Sequence, residues 1–502
     1  MDRIGTGRAA EAEADPEGAS EHREIVGSPP MRVTVIGHSC LRIETRAGTI
    51  LVDPWLSGSC YWRSWWHFPP SAEPDEATLA PDFVYLTHHH FDHFHYPSMR
   101  RLDRSARVLI PRFGVDVMAG EVTGLGFRPP RELPHGRPVE LGSGVTVASF
   151  QYGFDDTAFV VIDGDDSLVD LNDAKTRGRA LRQIGRLVGR PTLAFKSHSF
   201  AQAYPVQYDA DDPADLALVG RHTYLDDFCD TMAELRPRHA VPFGSMVGFL
   251  HPESRSVNDH LVTPGEVVAA ARARPDLDDT EVVVMAPGDS WDSGSGFALT
   301  GVDWYADRER HLAELAERHR PALEARAADE EGRTLDPALF EAHLGRFVRE
   351  VPRLLARRLV DRPVVFVVPS DPATPYWWVD PARGRVGRSA APPDDHASLI
   401  RVSEAVLADA MAAGILHMVH GSMRIRTHLA AGGVRADLGF WGLLMIWEIG
   451  YLPLRRTVWR PRVWVAAARR WRELLDQLPG LARRDPVGHL AERFGATAGD
   501  PQ

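Results

Sequence analysis

Between Thr87 and His93 the chain reads Thr-His-His-His-Phe-Asp-His, and within it His88, His90, Asp92 and His93 form an H-x-H-x-D-H array. Alternate histidines on the turn leaving a strand point the same way and suit one metal ion, while Asp92 and His93, one step further, face a second position. Imidazole and carboxylate donors accept zinc, iron or manganese, so the spacing fixes a metal site before it fixes the metal. His89 and His95 take the out-facing positions around the array.

The array needs a rigid element behind it. Asp82-Phe83-Val84-Tyr85-Leu86 is an apolar run that reads as a buried strand ending at the turn. Upstream, Val33 to Ile43 and Gly48 to Pro54 read as a hairpin, and further strand candidates are Val108–Ile110, Val145–Phe150, Ala158–Ile162, Ser167–Leu171, Thr192–Phe195 and Val282–Met285. Most end in loops with polar residues, where ligands and substrate contacts collect.

On these residues the chain resembles the metallo-β-lactamase superfamily. More specifically, Asp53-Pro54-Trp55-Leu56, Arg63-Ser64-Trp65-Trp66 and Asp92-His93-Phe94-His95-Tyr96-Pro97 are similar to the metallo-β-lactamase-fold part of the CMP-N-acetylneuraminate hydroxylases. A thinner likeness continues from Leu399 to Leu454. The resemblance implies an α/β chain in which residues 31–300 form a catalytic αββα sandwich. A smaller α/β domain over 301–432 and a helical, Arg- and Trp-rich tail over 433–502 complete the expectation, with residues 1–30 a disordered leader. It also implies that Asp53 buttresses the histidine turn, that Asp173 is the bridging carboxylate (Asp170 and Asp166 being fallbacks), and that His251 is the last ligand, with His239 its competitor. Asp92 and Asp173 are then the catalytic carboxylates. The superfamily takes a third histidine from the end of the strand Val145–Phe150, and here the chain departs. No histidine lies between His135, read as a surface loop residue, and His198, so the candidates for that slot are Gln151, Tyr152, Asp155 and Asp156.

A net charge of -12 argues against nucleic acid as a partner, and 502 residues are enough for two or three domains. Cys40, Cys60 and Cys229 are too scattered for a disulfide framework, which predicts a reducing, cytoplasmic setting. Nor does any of them sit in the C-x-H or C-x-x-H units of a Rieske cluster. The apolar stretch Leu438–Leu454 is interrupted by Glu448 and Pro453 and reads as a buried helix, not a membrane span. Arg455 to Arg484, with Trp459, Trp464 and Trp471, has the composition either of a helix lying on an anionic membrane or of a packed terminal helix with snorkelling arginines.

Of 57 basic side chains only Lys175 and Lys196 are lysine. Both are expected at the rim of the site, where a compact ammonium would take an anionic substrate group. His198, Trp65 and Trp66 are further candidates for substrate contact. Two chemistries fit. Iron in an oxygen-rich pocket would serve an oxygenase fed by a separate electron-donor protein; a dinuclear zinc or manganese site would serve a hydrolase of an ester, amide or phosphodiester. The missing third histidine and the hydroxylase likeness favour the oxygenase. From Leu399 to Ala413 a single helix is expected, ending before Gly414.

Overall fold

In the computed structural model, which describes residues 31–482 with side chains through Asp476, two sheets lie face to face. The expected leader, 1–30, lies outside the described residues. The first sheet has eight strands, in the order Gly296–Ala298, Ser290–Asp292, Arg32–Gly37, Cys40–Thr45, Gly48–Val52, Phe83–Tyr85, Arg107–Pro111 and Arg131–Leu133. The second has seven, in the order Glu281–Val282, His239–Pro242, Leu193–Lys196, Asp166–Asn172, Asp156–Asp163, Val145–Tyr152 and Val139–Gly142.

The packing explains why these strands read as apolar runs. Val33, Val35, Ile43, Val52, Phe83 and Tyr85 from one sheet meet Val147, Phe159, Val161, Leu168 and Phe195 from the other in a common core. The intervening residues, such as Ile36, Leu51 and Val84, are buried on the outer face under the helices Tyr96–Met99 and Ala119–Gly124. On the far side Phe150, Val160 and Leu171 pack under Leu181, Phe228 and Val267 of three longer helices. Strands covered on both faces lose polar alternation. This is the αββα sandwich.

A third sheet of six strands, Tyr208–Ala210, Arg426–Leu429, Ser398–Arg401, Val364–Val367, Tyr376–Asp380 and Arg385–Ser389, builds the C-terminal module. Its first strand is lent by the sandwich half of the sequence and runs parallel to Arg426–Leu429. The single helix expected over Leu399–Ala413 is instead a strand, Ser398–Arg401, followed by a helix, Glu404–Ala413. Ser398 and Ile400 are buried while Leu399 and Arg401 are less so, a period of two that the flanking strands on both sides satisfy with backbone hydrogen bonds.

Leu438–Leu454 lies mostly in the helix Val434–Glu448, whose Phe440 and Trp441 rings pack against Phe366 of the third sheet at 6.1 and 6.4 Å. This helix packs on the third sheet. Arg424, with a side chain 1% exposed, bonds Glu330, Glu253 and the Trp62 carbonyl, clamping the long helix Arg308–Glu330 and the tryptophan loop onto the module. Further on, Arg470 is buried against Glu473, whereas Trp459 and Trp464 are largely exposed. Among the described residues no helix is long and apolar enough to cross a membrane.

Candidate metal centre

The turn Thr87–His93 is held by Asp53, which stands just beyond the strand Gly48–Val52 with a left-handed φ of 44°. That backbone conformation is costly for a residue with a side chain and persists where surrounding contacts over-determine it. Here they do. Asp53 Oδ1 accepts the Thr87 N–H at 2.8 Å, and Oδ2 lies 2.6 Å from Thr87 Oγ1, 2.8 Å from His93 Nδ1 and 2.9 Å from Asn172 Nδ2. With Nδ1 committed to a carboxylate, His93 keeps Nε2 for a ligand, the arrangement that fixes tautomer and ring orientation in metal sites. That Nε2 is buried with no hydrogen-bond partner. It lies 3.2 Å from Asp92 Oδ2 and 3.4 Å from Asp173 Oδ2.

Around it two sets of donors converge. His38, Asp92 and His93 form one, and His88, His93 and Asp173 the other; within each set the donor atoms lie inside 4.8 Å of one another. His38 Nε2 is 3.1 Å from Asp92 Oδ2, and Asp92 Oδ1 accepts the Tyr61 hydroxyl at 2.6 Å. His88 Nδ1 is 2.9 Å from Thr87 Oγ1, which turns its Nε2 to within 2.8 Å of His90 Nδ1.

The electrostatics suit a cation. Burial, reinforced by the His93 and His90 rings, pushes His88 well down, so its nitrogen carries a free lone pair. Burial opposes charge on His93 too, but Asp92 and Asp53 outweigh it and raise that ring well above its usual value. A proton there takes the place a metal ion would take, and metal binding would displace it. Burial likewise opposes ionisation of Asp173, yet the His93 ring 3.4 Å away holds its carboxyl below the usual range. Orphaned buried nitrogen, neutral imidazoles and ionised carboxylates therefore fit a metal centre.

Not every residue singled out from the sequence is here. Asp155 Oδ2 and Asp156 Oδ1 face His90 and His88 at 3.7 and 4.0 Å. Gln151 turns its amide toward the Leu133 carbonyl instead, and Tyr152 closes the strand Val145–Tyr152. His251 belongs to neither donor set; its Nδ1 lies 3.8 Å from Glu253. His239 pairs with Glu281 at 2.9 Å, and Asp170 is fully buried between the sheets. His135, expected on a surface loop, is buried and accepts the Gln151 N–H, because an isolated bridge to Ser149 draws its loop under the sheet.

The substrate candidates also separate. Lys196 is fully buried and its ammonium sits 2.9 Å from Asp227, while Lys175, partly exposed, is 3.2 Å from Ser197 Oγ and 4.0 Å from Asp227. Burial lowers Lys196 to about 8 against the pull of Asp227. His198 is buried with neither ring nitrogen bonded. Trp65 packs edge-on to His38 at 5.9 Å, whereas Trp66 stacks on His319 of the long helix at 4.1 Å.

His38, Tyr61 and Asn172 were not singled out by sequence reasoning. The signal for His38 was its place in the hairpin turn Gly37-His38-Ser39. Nothing local marked Tyr61, which reaches Asp92 from a run of three left-handed residues, Tyr61 to Arg63.

Residues 32–164 match the model of a beta-lactamase superfamily domain, and the chain carries a metallo-β-lactamase fold. A Mycobacterium tuberculosis protein named for a Rieske 2Fe-2S iron-sulfur centre is 28% identical over 327 residues, covering 59% of this chain and 62% of that protein. The mouse cytidine monophosphate-N-acetylneuraminic acid hydroxylase is 23% identical over 312 residues, covering 53% of this chain and 52% of that one. The chain thus spans about half to three fifths of the length of these relatives. Among solved structures it is similar to CmlA, a diiron beta-hydroxylase from Streptomyces venezuelae, at 18% identity and a TM-score of 0.35, over 51% of this chain and 53% of that one. It is similar also to an isothiocyanate hydrolase from Delia radicum gut bacteria, at 17% identity and a TM-score of 0.38, over 53% of this chain and all of that one.

Proposed function

We propose that the protein is a metal-dependent hydroxylase, with one or two non-haem iron ions at the Thr87–His93 turn and a small anionic substrate. The observation that carries this reading is the pair Asp155 and Asp156 facing His90 and His88, where a third imidazole would favour zinc. Oxygen-rich sites with open positions are those used for oxygen activation by iron. Relatives named for a hydroxylase and for a Rieske centre support the same class.

When bound, iron would supply the activation of dioxygen. The protein's part is positional. The two donor groups would share His93, one ion lying among His88, His93 and Asp173 with His90 beside His88, the other among His38, Asp92 and His93, with Asp53 fixing the His93 ring and Tyr61 donating to Asp92. Lys175 would receive the substrate anion, and Lys196, paired with Asp227, would set the field behind it. Hydroxylation of one C–H bond consumes dioxygen, two electrons and two protons and releases water. The electrons would come from a separate donor protein, since Cys40, Cys60 and Cys229 are buried free thiols in no Rieske unit.

Metal analysis of protein purified without added metal, followed by optical spectra after anaerobic and aerobic iron loading, tests the reading. Iron with a dioxygen-dependent spectral change is expected. Stoichiometric zinc that alone supports full turnover would instead make the site a hydrolase.

A further inference from the structure

The segment that follows the helix Val434–Glu448 packs in an inverted sense. A helix at the edge of a domain normally turns its apolar side chains to the protein and its charged ones to water. The helix Pro461–Arg469 does the reverse. Its inner side is cationic. Arg462 donates to the Phe113 carbonyl at 2.5 Å and meets Glu132 at 2.5 Å; Arg470, just past the helix, donates to the Gly153 carbonyl and pairs with the buried Glu473 at 2.7 Å. Glu473 in turn accepts the Gly153 N–H at 2.9 Å, and the Val463 backbone comes so near Gly114 that a Cβ there would lie 3.4 Å from it. The inner side is therefore fixed to the sandwich at several points.

The outer side carries Trp464, Val465 and Ala468, all exposed. Trp464 is 61% exposed, and its indole N–H donates to the Val458 carbonyl at 2.7 Å, which joins it to Val458 and to Trp459, 83% exposed. Leu454 before them, and Trp471 and Leu475 after them, are exposed as well. Large apolar side chains grouped in this way at a surface mark a place of interaction.

Charge selects the partner. From Leu454 to Arg472 there are seven arginines and no Asp or Glu, in a chain whose net charge is -12. Arg455, Arg456 and Arg460 are exposed, and the Arg472 guanidinium lies over the Trp471 ring at 4.7 Å. Tryptophan concentrates where headgroups meet acyl chains, and arginine is drawn to the anionic headgroups themselves. A second copy of the chain would set these arginines against their own kind, which disfavours self-association through this face. The acidic remainder of the protein is repelled by an anionic surface, so this face alone is suited to approach one. Among the described residues no helix is long and apolar enough to cross a membrane, so the contact would be with its surface.

We propose that residues 454–475 seat the protein on an anionic phospholipid membrane, with Trp459, Trp464 and Trp471 at the boundary between headgroups and acyl chains and Arg455, Arg456 and Arg460 on lipid phosphates. The proposal is independent of the metal and of the reaction.

The test sediments the full chain with vesicles of phosphatidylcholine alone and of phosphatidylcholine mixed with phosphatidylserine. Wild type is expected to bind the mixed vesicles at least about tenfold more tightly than the neutral ones, and less tightly as salt is raised. The double variants Trp459→Ser/Trp464→Ser and Arg455→Glu/Arg460→Glu should each lose about tenfold or more on the mixed vesicles at an unchanged melting temperature. No binding by wild type, equal binding to both kinds of vesicle, or binding by both variants within about twofold of wild type would overturn the proposal. So would a concentration-dependent dimer, seen by analytical ultracentrifugation without lipid and abolished in the tryptophan variant, which would assign the face to a second copy. A further measurement needs no variant: mixed vesicles with brominated acyl chains should quench part of the fluorescence of the 13 tryptophans of wild type, and absence of quenching would overturn the proposal even if the variants do not fold.

Discussion

The histidine turn and the interior of the C-terminal module both bury charge, but they complete it differently. In the module the buried charges are partnered, Arg424 by Glu330 and Glu253, Glu448 by His343 and His417, and Asp437 by hydrogen bonds from Ser398 and Tyr208, while unpartnered buried atoms such as Thr427 Oγ1 and Trp441 Nε1 are scattered and uncharged. At the turn, His93 Nε2, Asp173 Oδ1, Asn172 Oδ1 and both nitrogens of His198 are buried without partners. An unsatisfied buried polar group costs about 1–3 kcal/mol, so a cluster of them marks a place kept for something the chain does not contain.

The contrast can be broken most sharply at the turn. His88→Ala or His90→Ala should strip the first ion, and Asp92→Asn mainly the second, with affinity falling more than about 100-fold, beyond the 10–100-fold typical of residues that merely orient a ligand. Metal content of purified variants checks this, and equal occupancy in all of them would show that the turn is not the site. None of these should lower the melting temperature of the metal-free protein.

In the module the order of effects should reverse. Arg424→Met removes the buried partner of Glu330 and Glu253 but leaves Arg326 and Ser403 on Glu330, so it should cost about 2 kcal/mol of unfolding free energy, below the roughly 3–5 kcal/mol of a buried charge left wholly unpaired. Urea unfolding of the apo-protein measures it.

A pH dependence separates the two regions further. Burial raises Asp437 to about 6 against hydrogen bonds from Ser398 and Tyr208, from an ordinary 3.8. A folded value above the unfolded one means that its contribution is fully present below pH 4 and is lost as pH rises through 6. The stability of wild type relative to Asp437→Asn should therefore fall by up to about 3 kcal/mol between pH 4 and 7. A flat difference across that range would show that the carboxyl is not buried as described.

Asp53→Asn should weaken metal binding about 10–100-fold through the His93 tautomer while the fold persists. The smallest effect expected is at Lys175→Arg, which should raise KM a few-fold with metal content unchanged, since a guanidinium is too wide for the space of a point charge.

What was legible in the sequence is what local rules control. The turn, the strand delivering it and the Asp53 buttress all lie within one stretch of about forty residues, where spacing and apolar runs speak directly. The helix expected at Leu399 shows the limit: four residues of period two, pressed between strands from distant parts of the chain, look helical when read alone. Likewise His38, Tyr61 and Asn172 are single polar residues in segments with no motif, and each gains meaning only from what it faces. His38 meets Asp92 across 54 positions, and Arg424 meets Trp62 across 362.

The sequence by itself determined the histidine array and the sandwich, because ligand spacing and strand periodicity are properties of neighbours along the chain. Only the tertiary structure decided which carboxylates face the histidines, that His251 stands apart, and that Lys196 is sealed against Asp227. Those outcomes depend on which buried groups find partners, and partners are assigned by packing in three dimensions, not by order in the chain.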